Sequence, residues 1–235
     1  MYTFDSRIRY SEVDRKGNLT FHSLLNYFQD VCSFHAEEAG AGIEYTRNEK
    51  LLWVLCAWQI VVDKMPRLCD KVEIGTIPYD FKGCTGNRNF FMKNEKGEVI
   101  AKANSLWMLL STETGRPAKM PPGLMEKYSP SPKMEMEYAP RKIDYPEDLV
   151  SKEPVEIRKY HLDTNQHMNN GRYVDIAMEY LPDGFHFWQM RAEYKNQAYL
   201  GDVLVPKVKL LEDRFLVVLE KKPDQVCCIV EFMKK

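Results

Sequence analysis

Apolar positions recur along this chain in two periods, and the switches between them mark out its elements. Over residues 20–39, Phe21, Leu24, Leu25, Phe28, Val31 and Cys32 fall three or four residues apart. That spacing predicts a helix with one buried face. Gly40 and Gly42 end it, and a short second helix is expected over 43–50. Around this helical stretch the pattern is extended. Residues 2–10 alternate, 51–63 are rich in Val, Ile and Trp, and 71–81, 87–93 and 99–111 complete a set of strands. The turn Asn94-Glu95-Lys96-Gly97 places glycine where a positive φ is wanted. One long helix followed by antiparallel strands predicts an α+β layer.

The same order then returns. Residues 155–160 read as a strand. Residues 170–181 read as a helix with Tyr173, Val174, Ala177 and Leu181 on one face, stopped by Pro182 and Gly184. Strands are expected at 185–194, 203–211, 214–221 and 226–233. Laying residue 7 on residue 156 puts Ile8 on Ile157, Arg9 on Arg158 and Asp14 on Asp163; the same register puts Asn18 on His167 and Leu19 on Met168. A second echo sets Leu68-Cys69-Asp70 against Leu200-Gly201-Asp202. Matches in the order strand, loop, helix, strand point to a duplicated unit. Eight of the thirteen prolines lie between Gly115 and Pro154, which predicts an irregular linker without helix or central strand. The expected domains are therefore 1–114, a linker at 115–154, and 155–235.

Length and composition agree with two ordinary folded domains: 235 residues, 44% hydrophobic and 29% charged. The net charge of −1 supplies no bulk basic field, so nucleic acid and anionic membranes are not expected partners. The longest apolar run, 51–62, is interrupted by Gln59 and falls short of the roughly 20 residues of a membrane span. The first ten residues carry Asp5, Arg7 and Arg9 and no apolar core, so no export signal and a cytoplasmic location are expected. The six cysteines form no C-x-x-C pair and read as reduced, mostly buried hydrophobes.

Chemistry concentrates in His161-Leu162-Asp163-Thr164-Asn165-Gln166-His167-Met168-Asn169-Asn170, a loop leading into a helix N-terminus. Unpaired N–H groups and the positive end of the helix dipole favour developing negative charge there. The string Leu162-Asp163-x-Asn165-Gln166-His167-x-Asn169-Asn170, then Tyr173, resembles the L-D-x-N-x-H-x-N-N motif of the acyl-ACP thioesterases, the plant plastid enzymes and their bacterial relatives. The resemblance extends over nearly the whole chain. It implies a tandem (double) hot-dog fold, each half an antiparallel sheet wrapped around a long helix, and hydrolysis of fatty acyl-ACP without a cofactor. The partner it implies is acyl carrier protein with its phosphopantetheine-linked chain, and a homodimer is open. By carry-over the functional positions are Asp163, Asn165 and His167. The plant enzymes add a Glu-Cys pair after a Tyr-Arg-Arg string. Here Tyr194-Lys195-Asn196 is followed by Gln197 and Ala198, so a cysteine nucleophile and a carboxylate base are both missing at that place. An amide cannot take up a proton at neutral pH, but Gln197 can still hold a water.

Two mechanisms stay open on the residues alone. His167 is the natural general base for water, since an unperturbed imidazole titrates near about 6.5. Asp163 either orients and polarises it or acts itself as base or nucleophile. Asn165 would bind substrate or hold the water, and the N–H groups of Met168, Asn169 and Asn170 would receive the oxyanion. Asn169 or Asn170 is also expected to cap the helix. His161, His22, His35 and His186 read as structural, and a metal site from His161, Asp163 and His167 lacks a supporting Cys or third His. The first copy keeps Asp14 but has Lys16 and Asn18 where the second has Asn165 and His167, so it is expected to do no chemistry. It would supply tunnel or core through Phe21, Phe28, Trp53, Trp58 and Trp107. Arg172, Arg191 and Lys195 are the basic residues nearest the motif for an acidic carrier. An acyl-CoA thioesterase, a hydratase and a non-catalytic acyl-binding protein are the competing readings.

Overall fold

The apolar stripe between Phe21 and Val31 folds as helix α1 (Phe21–Glu38), whose buried side includes Leu24, Leu25, Phe28 and Val31. Thr20 caps it, its hydroxyl accepting the Ser23 N–H at 3.1 Å, a contribution of about 1 kcal/mol. A computed structural model describes residues 1–222 and 225–235. The chain divides into two compact units, Met1–Cys56 with Ile60–Tyr138, and Ala57–Gln59 with Ala139–Lys235. The division after Tyr138 falls inside the proline-rich stretch.

In the first unit, β1 (Tyr2–Arg7) precedes α1, and a short α2 (Ile43–Asn48) follows it. Strands β2 (Leu51–Val62), β3 (Lys71–Lys82), β4 (Thr85–Asn94) and β5 (Val99–Ser111) complete a sheet of order β1-β3-β4-β5-β2. The pairs β1–β3, β3–β4 and β4–β5 are antiparallel. Helix α1 packs on β3 and β1. The Phe28 and Phe90 rings meet at 5.4 Å and anchor it to β4.

The second unit runs through β6 (Val150–Ser151), β7 (Val155–Glu156), α4 (Asn170–Met178), β8 (Phe187–Tyr194), β9 (Val203–Leu210), β10 (Arg214–Lys222) and β11 (Gln225–Lys234). Its sheet has the order β8-β11-β10-β9-β6, with β7 also pairing β9. Helix α4 rests on β10 and β11 through Tyr173, Val174 and Ala177. Each unit is thus an antiparallel sheet carrying one main helix.

Three expectations change. The strands expected at 2–10 and 155–160 both stop early. Ile8 and Ile157 leave their ladders, pairing with Asp70 O at 2.9 Å and Asp202 O at 2.8 Å, and 3-10 turns Tyr10–Glu12 and Lys159–His161 follow. Helix α4 ends at Met178 because its last N–H groups tighten to i−3 acceptors (Leu181 N to Met178 O, 3.1 Å) before Pro182. It has nine residues where α1 has eighteen, so the second helix is not long. The linker is not free of helix: α3 (Leu124–Tyr128) buries Leu124 and Tyr128. It fits between Pro122 and Pro130 because proline breaks a helix only from inside it. No helix among the described residues is long and apolar enough to cross a membrane. Cys56, Cys227 and Cys228 are buried, whereas Cys69 is exposed in a turn with φ of 72°, a position that Gly201 takes in the second unit.

Candidate active site

The loop that carries His167 is built by Asp163. Its Oδ1 accepts the N–H groups of Asn165 (2.8 Å) and His167 (3.2 Å), an Asx-type turn that closes the loop on itself. The Asp163 N–H returns to His167 O at 2.8 Å, and Gln166 N–H to Asp163 O at 3.1 Å. Leu162 bridges Met168, so the loop leaves as a narrow hairpin. Gln166 sits at φ of +62°, an uncommon conformation for a residue with a Cβ. Asn169 then caps α4 by accepting Gly171 N–H at 2.8 Å.

A second segment closes over this hairpin. Ala198 O accepts Met168 N–H at 2.9 Å, and the fully buried Ala198 donates its own N–H to the Tyr173 hydroxyl at 2.9 Å. Asp202 Oδ2 accepts the Tyr199 N–H at 2.8 Å and pairs with Lys221 Nζ at 3.1 Å. The Tyr199 ring stands edge-to-face against His167, centroids 5.2 Å apart at 78°, and its hydroxyl donates to Gln197 Oε1 at 3.1 Å. Lys221 Nζ lies 5.4 Å from the Tyr199 ring centre and donates to Gln197 O at 3.4 Å.

The structure therefore joins His167 and Gln197 through Tyr199, which the sequence did not single out. The echo at Leu200-Gly201-Asp202 pointed to this turn without saying which side chain in it faced the histidine. Asp163 makes no hydrogen bond to the imidazole, and neither ring nitrogen of His167 has a hydrogen-bond partner among the described residues. Asn165 is exposed and its side chain makes no hydrogen bond among the described residues. Of the amides expected to receive an oxyanion, two are already engaged: Met168 N–H by Ala198 O and Asn169 N–H by His161 O at 2.8 Å. Asn170 N–H, at the first position of α4, has no partner among the described residues.

His161 is held as a structural residue. Its Nδ1 accepts Arg158 N–H at 3.0 Å. Burial, then the charges of Arg172 and Arg158, push its pKa down, so it stays neutral. Arg191 is not a surface cation: it pairs with the buried Glu231 at 2.9 Å and donates to Lys142 O at 3.0 Å. Arg172 pairs with Asp175 at 3.0 Å, and Lys195 remains exposed. No cluster of potential metal ligands occurs among the described residues.

The profile of the acyl-ACP thioesterase N-terminal domain matches residues 1–128, and that of the acyl-ACP thioesterase C-terminal domain matches 146–206. The palmitoyl-acyl carrier protein thioesterase of Arabidopsis thaliana chloroplasts is 27% identical over 215 residues, covering 84% of this chain and 52% of that protein. The dodecanoyl-[acyl-carrier-protein] hydrolase of Cinnamomum camphora is 26% identical over 219 residues, with 84% and 56% covered. The chain spans about half the length of these curated relatives. Among solved structures, an acyl-ACP thioesterase from Bacteroides thetaiotaomicron superposes with a TM-score of 0.90 at 24% identity, over 99% of this chain and 97% of that one. The 12:0-ACP thioesterase of Umbellularia californica gives 0.85 at 20%, over 100% and 96%. At such identities the likeness is one of fold, the double hot-dog.

Proposed function

The chain belongs to the acyl-ACP thioesterase family, and from that premise we propose that it hydrolyses fatty acyl-[acyl-carrier-protein] thioesters to free fatty acid and carrier, drawing chains away from fatty acid synthesis in the cytoplasm. The observation that carries this reading is the unbonded imidazole of His167, held on a hydrogen-bonded loop beside a helix N-terminus. In the reaction, His167 takes a proton from water as the oxygen adds to the thioester carbon. The carbonyl oxygen becomes an oxyanion. Donors for it are the N–H of Asn170 and the amide NH2 of Gln197, neither of which has a partner among the described residues. Collapse breaks the C–S bond, and the imidazolium returns its proton to the departing phosphopantetheine thiolate. One well-placed oxyanion donor is worth about 2.7–4 kcal/mol.

In this scheme Asp163 shapes the loop, and Asn165, exposed at its tip, meets the incoming substrate. Gln197 contributes a donor where the plant pattern has a carboxylate, and Ala198 has no nucleophile to offer, so water is the attacking group. The test is product release from a panel of acyl-ACP and acyl-CoA substrates of varied chain length. Release from acyl-ACP that is lost in His167→Ala supports the proposal. Release from CoA esters alone would move the protein to the CoA reading. Binding without release would favour an acyl-binding protein. Pairing into a homodimer is measured by light scattering on the same preparation, a doubled mass being the supporting outcome.

A further inference from the structure

The loop bonds hold the backbone of residue 167 and leave the imidazole unconstrained. His167 N–H goes to Asp163 and His167 O to the Asp163 N–H, and the first unit makes the same two bonds with an asparagine in that place. Something else has to set the plane of the ring, and among the described residues its aromatic contact is Tyr199. We propose that Tyr199 is the positioning residue of the site: its ring fixes the imidazole of His167 edge-to-face, and its hydroxyl fixes the amide of Gln197 with the NH2 turned outward as a donor. The inference rests on the hydrolase reading and deepens it by assigning which end of Gln197 faces the reacting oxygen.

Three contacts converge on this side chain, and a fourth holds its backbone. The centroid distance of 5.2 Å and the 78° interplanar angle are those of a favourable edge-to-face pair. The phenol donates to Gln197 Oε1 at 3.1 Å, so the amide oxygen is occupied and the nitrogen is the free end. Asp202 pins the Tyr199 backbone through its N–H, and Lys221, paired with that same Asp202, lies over the ring. The equivalent turn of the first unit shows what the frame looks like without this task. Asp70 Oδ2 accepts Arg67 N–H at 2.8 Å as Asp202 does for Tyr199. Yet Arg67 replaces the tyrosine, Met65 the glutamine and Asn18 the histidine. Arg67 merely reaches Lys16 O at 3.4 Å. The frame is common to both turns; His167, Tyr199 and Gln197 occur together in one.

Tyr199 is 46% exposed, so its substitution leaves the core intact. Tyr199→Leu removes ring and hydroxyl; Tyr199→Phe removes the hydroxyl alone. With acyl-ACP as substrate, Tyr199→Leu is expected to lower kcat about tenfold with KM changed less than about twofold, and Tyr199→Phe about threefold. Combining Tyr199→Phe with Gln197→Ala should cost no more than Gln197→Ala alone, because both act through one amide. Nuclear magnetic resonance of the His167 ring protons gives a readout independent of turnover. Their ring-current shift should vanish in Tyr199→Leu and persist in Tyr199→Phe. A wild-type kcat in Tyr199→Leu, or unchanged His167 resonances in it, overturns the proposal. A wild-type protein that turns over no thioester overturns the hydrolase reading instead, and the resonance experiment then still decides the contact.

Discussion

Asp14 and Asp163 close their loops with the same bonds. Asp14 Oδ1 accepts the N–H groups of Lys16 and Asn18 at 2.8 and 3.0 Å; Asp163 Oδ1 accepts those of Asn165 and His167 at 2.8 and 3.2 Å. Val13 bridges Leu19 as Leu162 bridges Met168, and Gly17, at φ of +79°, holds the place of Gln166. Leu19 N–H reaches Pro66 O as Met168 N–H reaches Ala198 O. Arg9 N–H is taken by Glu12 in one loop, and Arg158 N–H by His161 in the other. The carboxylate thus closes the loop in both units, with or without a histidine beside it. What separates the two units is the handful of side chains placed on that frame, and those are the ones to test for chemistry.

The largest expected effect comes from erasing the difference. His167→Asn gives the second loop the residue of the first, and kcat should fall about 100-fold or more, the scale of a lost general base. The melting temperature should hardly move, because the backbone bonds of residue 167 remain. The reciprocal Asn18→His should confer no turnover on its own, since Met65 and Arg67 replace Gln197 and Tyr199. Full activity in His167→Asn would remove the basis of the comparison.

Next comes a backbone amide that the two units satisfy differently. The Ala198 N–H is buried and needs an acceptor, which the Tyr173 hydroxyl supplies. In the first unit Pro66 has no N–H, and Leu24 stands where Tyr173 does. Tyr173→Phe should therefore cost about 1–3 kcal/mol in denaturant unfolding, the penalty of an orphaned buried donor. Adding Ala198→Pro should recover part of it. A loss that the proline does not reduce would mean that the hydroxyl matters for something other than that amide.

Smaller and equal effects are expected for the two aspartates. Asp14→Ala and Asp163→Ala should each destabilise by about 1–2 kcal/mol, having lost two hydrogen bonds to a charged acceptor. Asp14→Asn should leave kcat unchanged. Asp163→Asn, whose amide oxygen can still close the turn, should keep kcat within about tenfold of wild type, far from the loss in His167→Asn. A deeper loss in Asp163→Asn at unchanged stability would give the carboxylate a direct part in the reaction.

Much of this could be read from the chain because the hydrophobic period is a local property. Strand β5 begins at Val99 and ends at Ser111, as expected, and α1 lies within one residue of its expected limits at both ends. The motif located the loop, since Asp163, Asn165 and His167 lie close in sequence. Features set by distant partners did not show. Ile8 and Ile157 belong to strands by composition, yet backbone partners more than forty residues away draw them out of their ladders. The helix Leu124–Tyr128 escaped notice because its flanking prolines outweighed the spacing of Leu124 and Tyr128. The engagement of the Met168 amide, and the Tyr199 contact, depend on a turn some thirty residues downstream that no local pattern ties to the motif.

The smallest effect distinguishes the units by pH. His35, buried on α1, accepts a hydrogen bond at Nδ1 from Arg88 Nη1 at 2.9 Å, since a guanidinium can only donate. Its ring stacks on Tyr2 and meets Tyr128 edge-on. Burial, then the Arg88 charge and the N-terminal amine, bring its pKa down to about 4. An unfolded histidine takes up its proton near about 6.5, so the unfolded chain binds more protons between these values and stability falls as pH drops through them. The contribution is complete above about pH 6.5 and gone below about pH 4. From pH 7 to 5 the loss traceable to this group should be about 1 kcal/mol, allowing for partial solvent screening. His35→Gln keeps an acceptor for Arg88 but cannot titrate, so its unfolding free energy should depend less on pH across that interval. The acid limb of turnover should stay where it was, because His35 takes no part in the proposed reaction. If His35→Gln shifted the acid limb of activity and left stability as pH-dependent as before, the division of labour between the two units would be wrong.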